Sequence, residues 1–179
     1  SSITAGSLVA TNSGPTSGSD ILDNGVLTIA GTSSFTTSVS NADITLDSAN
    51  VFTGAVSLNT TGSSGHATVV DASGLNLAAS TVGGNLVATA TTGNISDSGN
   101  LTVAGTSMFL TGVSGSNIIL DASGNAFSNA VTLQADDGSE AFGNITFVDS
   151  GAVKLHSSAG ANGDLYINAA TDAAVGGNL

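Results

Sequence analysis

The chain has 179 residues, with 24 Gly, one Pro and neither Cys nor Trp, and only 8% of its residues are charged. Lys154 is its single basic residue and the formal net charge is -12, which excludes a nucleic-acid-binding protein because phosphate binding requires clustered Lys and Arg. No stretch approaches the roughly 18 consecutive apolar residues that span a membrane, so we expect no membrane insertion and no signal peptide within this sequence.

Short bursts of alternating apolar and polar residues run along the chain and predict β-strands with one buried and one wet face. Gly and β-branched residues are too dense for any credible helix, so the predicted class is all-β. In chain order the bursts are LTIAG at 27–31, ITLD at 44–47, AVSL at 55–58, ATVV at 67–70, LNLAA at 75–79 and NLVATA at 85–90.

The chain also repeats itself at a long interval. LTIAGTSSF at 27–35 returns as LTVAGTSMF at 101–109, and FTGAVSL at 52–58 returns as FSNAVTL at 127–133. These echoes predict a single domain made of duplicated blocks of about 74 to 79 residues. The predicted blocks are roughly 8–85 and 86–164 with a partial block at 165–179, an excerpt of a longer array.

A shorter rhythm lies within each block, because strand starts near Leu86, Thr106, Phe127, Ile145 and Leu165 are about 20 residues apart. This spacing predicts a parallel β-solenoid of roughly nine coils, in which each strand pairs in parallel with the strand one coil further on. One block would then comprise about four coils. Twelve repeat-related residues are predicted to point inward, the two members of each pair on the same side of the coil: Leu27 and Leu101, Ile29 and Val103, Ile44 and Ile118, Leu46 and Leu120, Val56 and Val131, and Leu58 and Leu133.

Most acidic residues fall at repeat-equivalent turn positions. There a carboxylate can cap a corner by accepting backbone N–H bonds. The pairs are Asp23 and Asp97, Asp47 and Asp121, and Asp71 and Asp149.

No residue is predicted to be catalytic. The Arg and Lys with which β-helical polysaccharide lyases meet a uronate are missing, and His66 and His156 have no nucleophile motif beside them, so we expect both to face solvent. Ice binding would require Thr-x-Thr at the same place in coil after coil, and the Thr pairs of the sequence keep no such register, so ice binding is a minor alternative. The nine residues at 12–20, with the only Pro, Pro15, predict a protruding corner.

Calcium is the cofactor that deserves a test, since the ion takes carboxylate oxygens. Asp136, Asp137 and Glu140 form one local acidic cluster, at a corner where the first block is shorter and uncharged. They are a weak candidate metal site. Because the cluster occurs once and the apolar rows recur, we expect no cofactor to be required for the fold.

The repeats resemble a known class of bacterial proteins. GGNLVATATTGNISDSGNLTVAGTSMFLTG at 83–112, followed by NIILDASGNAFSNAVTL at 117–133, is similar to the repeat region of filamentous haemagglutinin-type exoproteins, the large adhesins exported by two-partner secretion. The resemblance implies a right-handed parallel β-helix that acts as a stalk.

We therefore expect a non-catalytic stalk or adhesive repeat segment of a secreted or surface-anchored bacterial adhesin. The expected partners are a protein or glycan at a cell surface, or neighbouring solenoid subunits. The alternative is a subunit of a self-assembling extracellular filament, whose open coil ends pair with one another.

Overall fold

A computed structural model describes residues 2–14, 19–135 and 143–155, together with two later strands. The described residues form 21 strands and no helix. The strands are β1 (Ile3–Ala5), β2 (Leu8–Asn12), β3 (Ile21–Leu22), β4 (Leu27–Ile29), β5 (Ser33–Ser40), β6 (Ile44–Phe52), β7 (Val56–Thr61), β8 (Ala67–Asp71), β9 (Leu75–Leu77), β10 (Ser80–Val82), β11 (Leu86–Ala90), β12 (Ile95–Asp97), β13 (Leu101–Val103), β14 (Ser107–Thr111), β15 (Ile118–Leu120), β16 (Ala126–Phe127), β17 (Val131–Ala135), β18 (Ile145–Asp149), β19 (Lys154–Leu155), β20 (Leu165–Ala169) and β21 (Ala174–Val175).

Every strand pairing in the described chain is parallel and joins strands about one coil apart, which confirms the predicted β-solenoid. Ile21 pairs with Ile44, and Ile44 pairs in turn with Ala67, so these two steps along the chain are equally long. The next step, from Ala67 to Leu86, is shorter. Most coils are slightly longer than the sequence predicted, because the corner loops add residues between the strands. Fewer coils therefore fit into the chain than the nine that we expected.

Three strands in most coils divide the solenoid into three faces, named here by their order along a coil. The first face contains β3, the start of β6, β8, β11, β14, β17, β19 and β21. The second contains β1, β4 and the end of β6 in the early coils and then β9, β12, β15, β18 and β20, and the third contains β2, β5, β7, β10, β13 and β16. Hydrogen bonding merges these rows into a 10-stranded and an 11-stranded sheet. β6 joins the first and second faces in the former, and β7, which pairs with β9 as well as with β5 and β10, joins the second and third faces in the latter.

The interior is a continuous stack of apolar side chains from all three faces. All twelve residues that the sequence predicted to point inward are buried, with Leu27 the most exposed of them at 6%. Phe35 and Phe52 meet edge to face, and Phe127 contacts both Phe109 and Phe147. Period-2 alternation therefore gave the correct strand register.

The predicted placement of the paired residues on the same side of the coil is wrong. Three coil steps along the first face lead from Ile44 through Ala67 and Leu86 to Ser107. Ile118, the repeat counterpart of Ile44, lies beyond Ser107, past one corner and on the second face.

The other two faces shift in the same way. Leu27 on the second face corresponds to Leu101 on the third, and Val56 on the third corresponds to Val131 on the first. The duplicated block thus comprises three coils and one face rather than four coils. Its second copy is displaced around the axis by one face.

Candidate functional site: corner ladders and outward rows

Polar side chains join neighbouring coils at the corner that precedes the first face. In each of four successive coils, the side chain just before the strand accepts a backbone N–H from the coil above. Asp20 Oδ1 accepts from Asp43 N (2.9 Å), and Asp43 Oδ1 accepts from His66 N (2.7 Å). His66 Nδ1 accepts from Asn85 N (2.9 Å), and Asn85 Oδ1 accepts from Thr106 N (2.9 Å). This corner ladder satisfies backbone donors that the turn leaves unpaired.

The ladder gives His66 a structural position. The side chain is half-buried rather than simply solvent-facing, and its Nδ1 is occupied by the Asn85 N–H bond. A ring nitrogen that accepts a backbone hydrogen bond cannot also bind a metal ion or take a substrate proton. His156, Pro15 and the candidate calcium ligands Asp136, Asp137 and Glu140 lie outside the described residues.

A second corner holds a three-coil polar cluster built around a buried Asn. Asn50 Nδ2 donates to Asp23 Oδ2 (2.5 Å), while Asn50 Oδ1 accepts the buried N–H of Leu27 (2.8 Å). In the next coil, Asp71 Oδ2 accepts from Phe52 N (3.2 Å). The cluster therefore ties together three successive turns of backbone.

The duplicated block rebuilds this cluster one face further on. Asn125 Nδ2 donates to Asp97 Oδ2 (2.6 Å) and Asn125 Oδ1 accepts from Leu101 N (2.8 Å). Asp149 Oδ1 in turn accepts from Phe127 N (3.3 Å). The prediction that these Asp residues cap corners is thus confirmed for Asp23, Asp97, Asp71 and Asp149.

Asp47 and Asp121 do not cap a corner with their carboxylates but donate to the capping residues. Both are exposed, and each donates its backbone N–H to the capping carboxylate in the coil below, at 3.1 and 3.0 Å respectively.

Burial shifts the pKa of two of the capping carboxyls. Desolvation raises the pKa of Asp71 and of Asp97 above the ordinary 3.8, against the lowering effect of hydrogen bonds from residues such as Ser73 and Asn125. These groups face backbone amides and side-chain donors rather than an open cleft. Their hydrogen bonds join neighbouring coils.

Outward side chains on the third face form an in-register row that sequence analysis missed. Thr11 pairs with Thr36, Thr36 with Asn59, Asn59 with Thr81, and Thr81 with Thr102. Asn59 interrupts the row of Thr and no Thr-x-Thr lies along it, so the expectation that Thr-x-Thr is not kept through successive coils is confirmed for these strands. Loop lengths that differ from coil to coil hide the register in the linear sequence.

The corresponding outward positions in the second block are apolar. Ser34 and Thr36 are replaced by Met108 and Leu110, which lie half-buried on the outside of the first face. Met108 lines a shallow groove with Val87 and Thr132. Inward Phe35 and its counterpart Phe109 are both fully buried. The two blocks thus share their interior and differ in the surface that they display.

The described residues contain neither a cluster of metal-ligating side chains nor a membrane-spanning helix. Within residues 2–14, 19–135 and 143–155, no group of three or more His, Cys, Asp or Glu side chains could hold a metal ion. In the same part of the chain there is no helix long and apolar enough to cross a membrane.

Comparison with known proteins gives one match. Neither a curated protein nor a solved structure matches the chain. A family model described as "Repeats of unknown function (DUF5649)" matches residues 1–59 and again residues 64–134, which together make up well over half of the sequence. The chain therefore belongs to the family of repeats of unknown function DUF5649.

Proposed function

We propose that the chain is a non-catalytic stalk and adhesive segment of a secreted or surface-anchored bacterial adhesin. One observation carries this proposal: parallel strand pairs join successive coils throughout the described chain, and in four successive coils a side-chain acceptor adds a bond at the same corner. Such an array is extended along one axis, because every coil contacts only its neighbours, and it can therefore hold its two ends apart as a stalk does.

The described polar chemistry supports a mechanical role. Asp23, Asp71, Asp97 and Asp149 use their carboxylates to accept backbone N–H bonds, and His66 does the same with its ring nitrogen. A carboxylate whose oxygens already accept backbone N–H bonds inside the stack is engaged in joining the coils, which fits a structural role. The likeness of the repeats to haemagglutinin-type stalks points the same way and suggests an extracellular location.

The proposal is tested by shape and location. Stacked coils advance by about 4.8 Å each, so the eight strands of the first face should give a straight rod roughly 34 Å long. Small-angle scattering of the monomer should give a pair-distance distribution of a cylinder, and antibodies against the chain should label intact cells of the producing bacterium. A spherical particle, or labelling only after the cells are permeabilised, would contradict the stalk role.

A further inference from the structure

We infer that the third face carries a contact surface for a neutral, extended polysaccharide. This inference deepens the proposed adhesive function and rests on it. The surface, called here the hydroxyl strip, consists of the outward side chains of Thr11, Thr36, Asn59, Thr81 and Thr102. At about 4.8 Å per coil, the strip runs roughly 19 Å along the axis.

Hydrogen-bonding groups are available along the strip. Thr11, Thr81 and Thr102 are exposed and Thr36 is half-buried, and in the described part of the chain their hydroxyls make no hydrogen bond. Each hydroxyl both donates and accepts, as the hydroxyls of a sugar do. Asn59 differs, because its amide is held by Ser57 Oγ and by Thr81 N at 2.9 and 3.2 Å. These two hydrogen bonds hold the Asn59 side chain in place at the middle of the strip.

Charge narrows the class of ligand. The third-face strands that carry the strip, β2, β5, β7, β10 and β13, contain no charged residue, although the chain as a whole has a net charge of -12. An anionic glycan would approach against the field of the whole protein, and a cationic partner would be drawn to the acidic corners instead. A neutral polysaccharide is neither repelled by the negative protein nor drawn away from this face to the acidic corners.

The second block shows that outward positions of these repeated strands need not carry hydroxyls, although its copy of β5 lies on the first face. Its counterparts of Ser34 and Thr36 are Met108 and Leu110, while the neighbouring inward residues Phe35 and Phe109 are the same. Strand geometry and packing therefore leave these outward positions free to vary. An in-register row of hydroxyls repeats along the axis of the solenoid. It therefore fits a ligand that also repeats along its length, such as a polysaccharide.

The test is affinity electrophoresis of the full chain in native gels that contain a neutral polysaccharide. Hydroxyethylcellulose, galactomannan and dextran serve as neutral probes, and carboxymethylcellulose as the anionic counterpart of the first. We expect retardation by at least one neutral polymer and none by carboxymethylcellulose. Absence of retardation by all three neutral polymers, or equal retardation by carboxymethylcellulose, would overturn the inference.

Matched variants locate the site. Thr36→Val with Thr102→Val keeps the shape and strand propensity of the side chains and should raise the dissociation constant about tenfold, because two hydrogen bonds to the polysaccharide are lost. Thr45→Val with Thr68→Val changes two half-buried outward threonines on the first face and should leave binding unchanged.

Equal losses in both double variants would refute the hydroxyl strip. Thermal hysteresis in ice growth without polysaccharide retardation would identify ice as the ligand and would also refute it. Small-angle scattering of the same samples distinguishes failure of this inference from failure of the proposed function. A rod of unchanged shape that binds no polysaccharide contradicts the hydroxyl strip alone, whereas loss of the rod shape contradicts the proposed function.

Discussion

Replacing Asn125 by Ala tests the polar corner cluster, because this fully buried side chain makes two hydrogen bonds between coils. Its Oδ1 accepts the Leu101 N–H at 2.8 Å, and its Nδ2 donates to Asp97 Oδ2 at 2.6 Å. Leaving a buried N–H without a partner costs about 1 to 3 kcal/mol, and losing a bond to a charged group costs about 1.5 to 3 kcal/mol. We expect Asn125→Ala to lower the free energy of unfolding by about 3 to 5 kcal/mol.

The assay is urea unfolding followed by circular dichroism, with Asn129→Ala as the matched control. Asn129 is exposed and its Nδ2 donates to Ala104 O at 2.7 Å, so its removal should cost less than about 1 kcal/mol. Asn50→Ala, in the first copy of the cluster, should cost as much as Asn125→Ala. If Asn125→Ala and Asn129→Ala unfold within about 1 kcal/mol of each other, the cluster does not hold the coils together.

Three further predictions concern corners, packing and pH. Gly54→Ala should destabilise the rod strongly, since an added Cβ would clash with Gly31 O, whereas Gly6→Ala meets no neighbouring atom and should be neutral in thermal melts. Phe109→Ala should cost about 3 to 5 kcal/mol in urea unfolding and its outward neighbour Met108→Ala less than about 1 kcal/mol; equal costs would show that the strand register is wrong. Because burial raises the pKa of Asp97 in the folded state above 3.8, the folded state takes up protons first as the pH falls, so this group should add stability from neutral pH down to about 3.8 and no more below it. Asp97→Asn should reduce that gain, as measured by urea midpoints at several pH values, and an unchanged pH profile would contradict the assignment.

The sequence predicted the inward rows well because local rules determine them. Alternation within LTI at 27–29 or ITL at 44–46 identifies the buried side chains with no knowledge of the neighbouring coil. The capping role of Asp71 and Asp149 could likewise be predicted, since each accepts the N–H of a residue two positions on, Ser73 and Gly151. Asp23 and Asp97 accept from the next coil instead.

Features that depend on coil length could not be predicted in the same way. Along the hydroxyl strip, the step in sequence from Thr11 to Thr36 is longer than the step from Thr81 to Thr102. No fixed period brings such residues into register. The same variation concealed the displacement of the second block by one face, because assuming a short, constant coil makes the block length look like nearly four whole turns.

The corner ladder was missed for a related reason. Asp43, His66 and Asn85 share neither residue type nor a constant spacing, yet each does the same work as an acceptor for the coil above. What unites them is their position just before a first-face strand. That position becomes visible only when the coils are stacked.

The central claim, that parallel coils stack in the register described, is tested most directly by engineered disulfides in this cysteine-free chain. Thr45 and Thr68 are register partners that face outward in adjacent coils, so their Cα atoms should lie about 4.8 Å apart, within disulfide range. Thr45→Cys with Thr68→Cys should oxidise fully within one molecule, as measured by intact mass. Thr45→Cys with Val87→Cys spans two coils, about 9.6 Å, and should remain reduced. Efficient closure of the two-coil pair, or failure of the adjacent pair, would contradict the stacked solenoid.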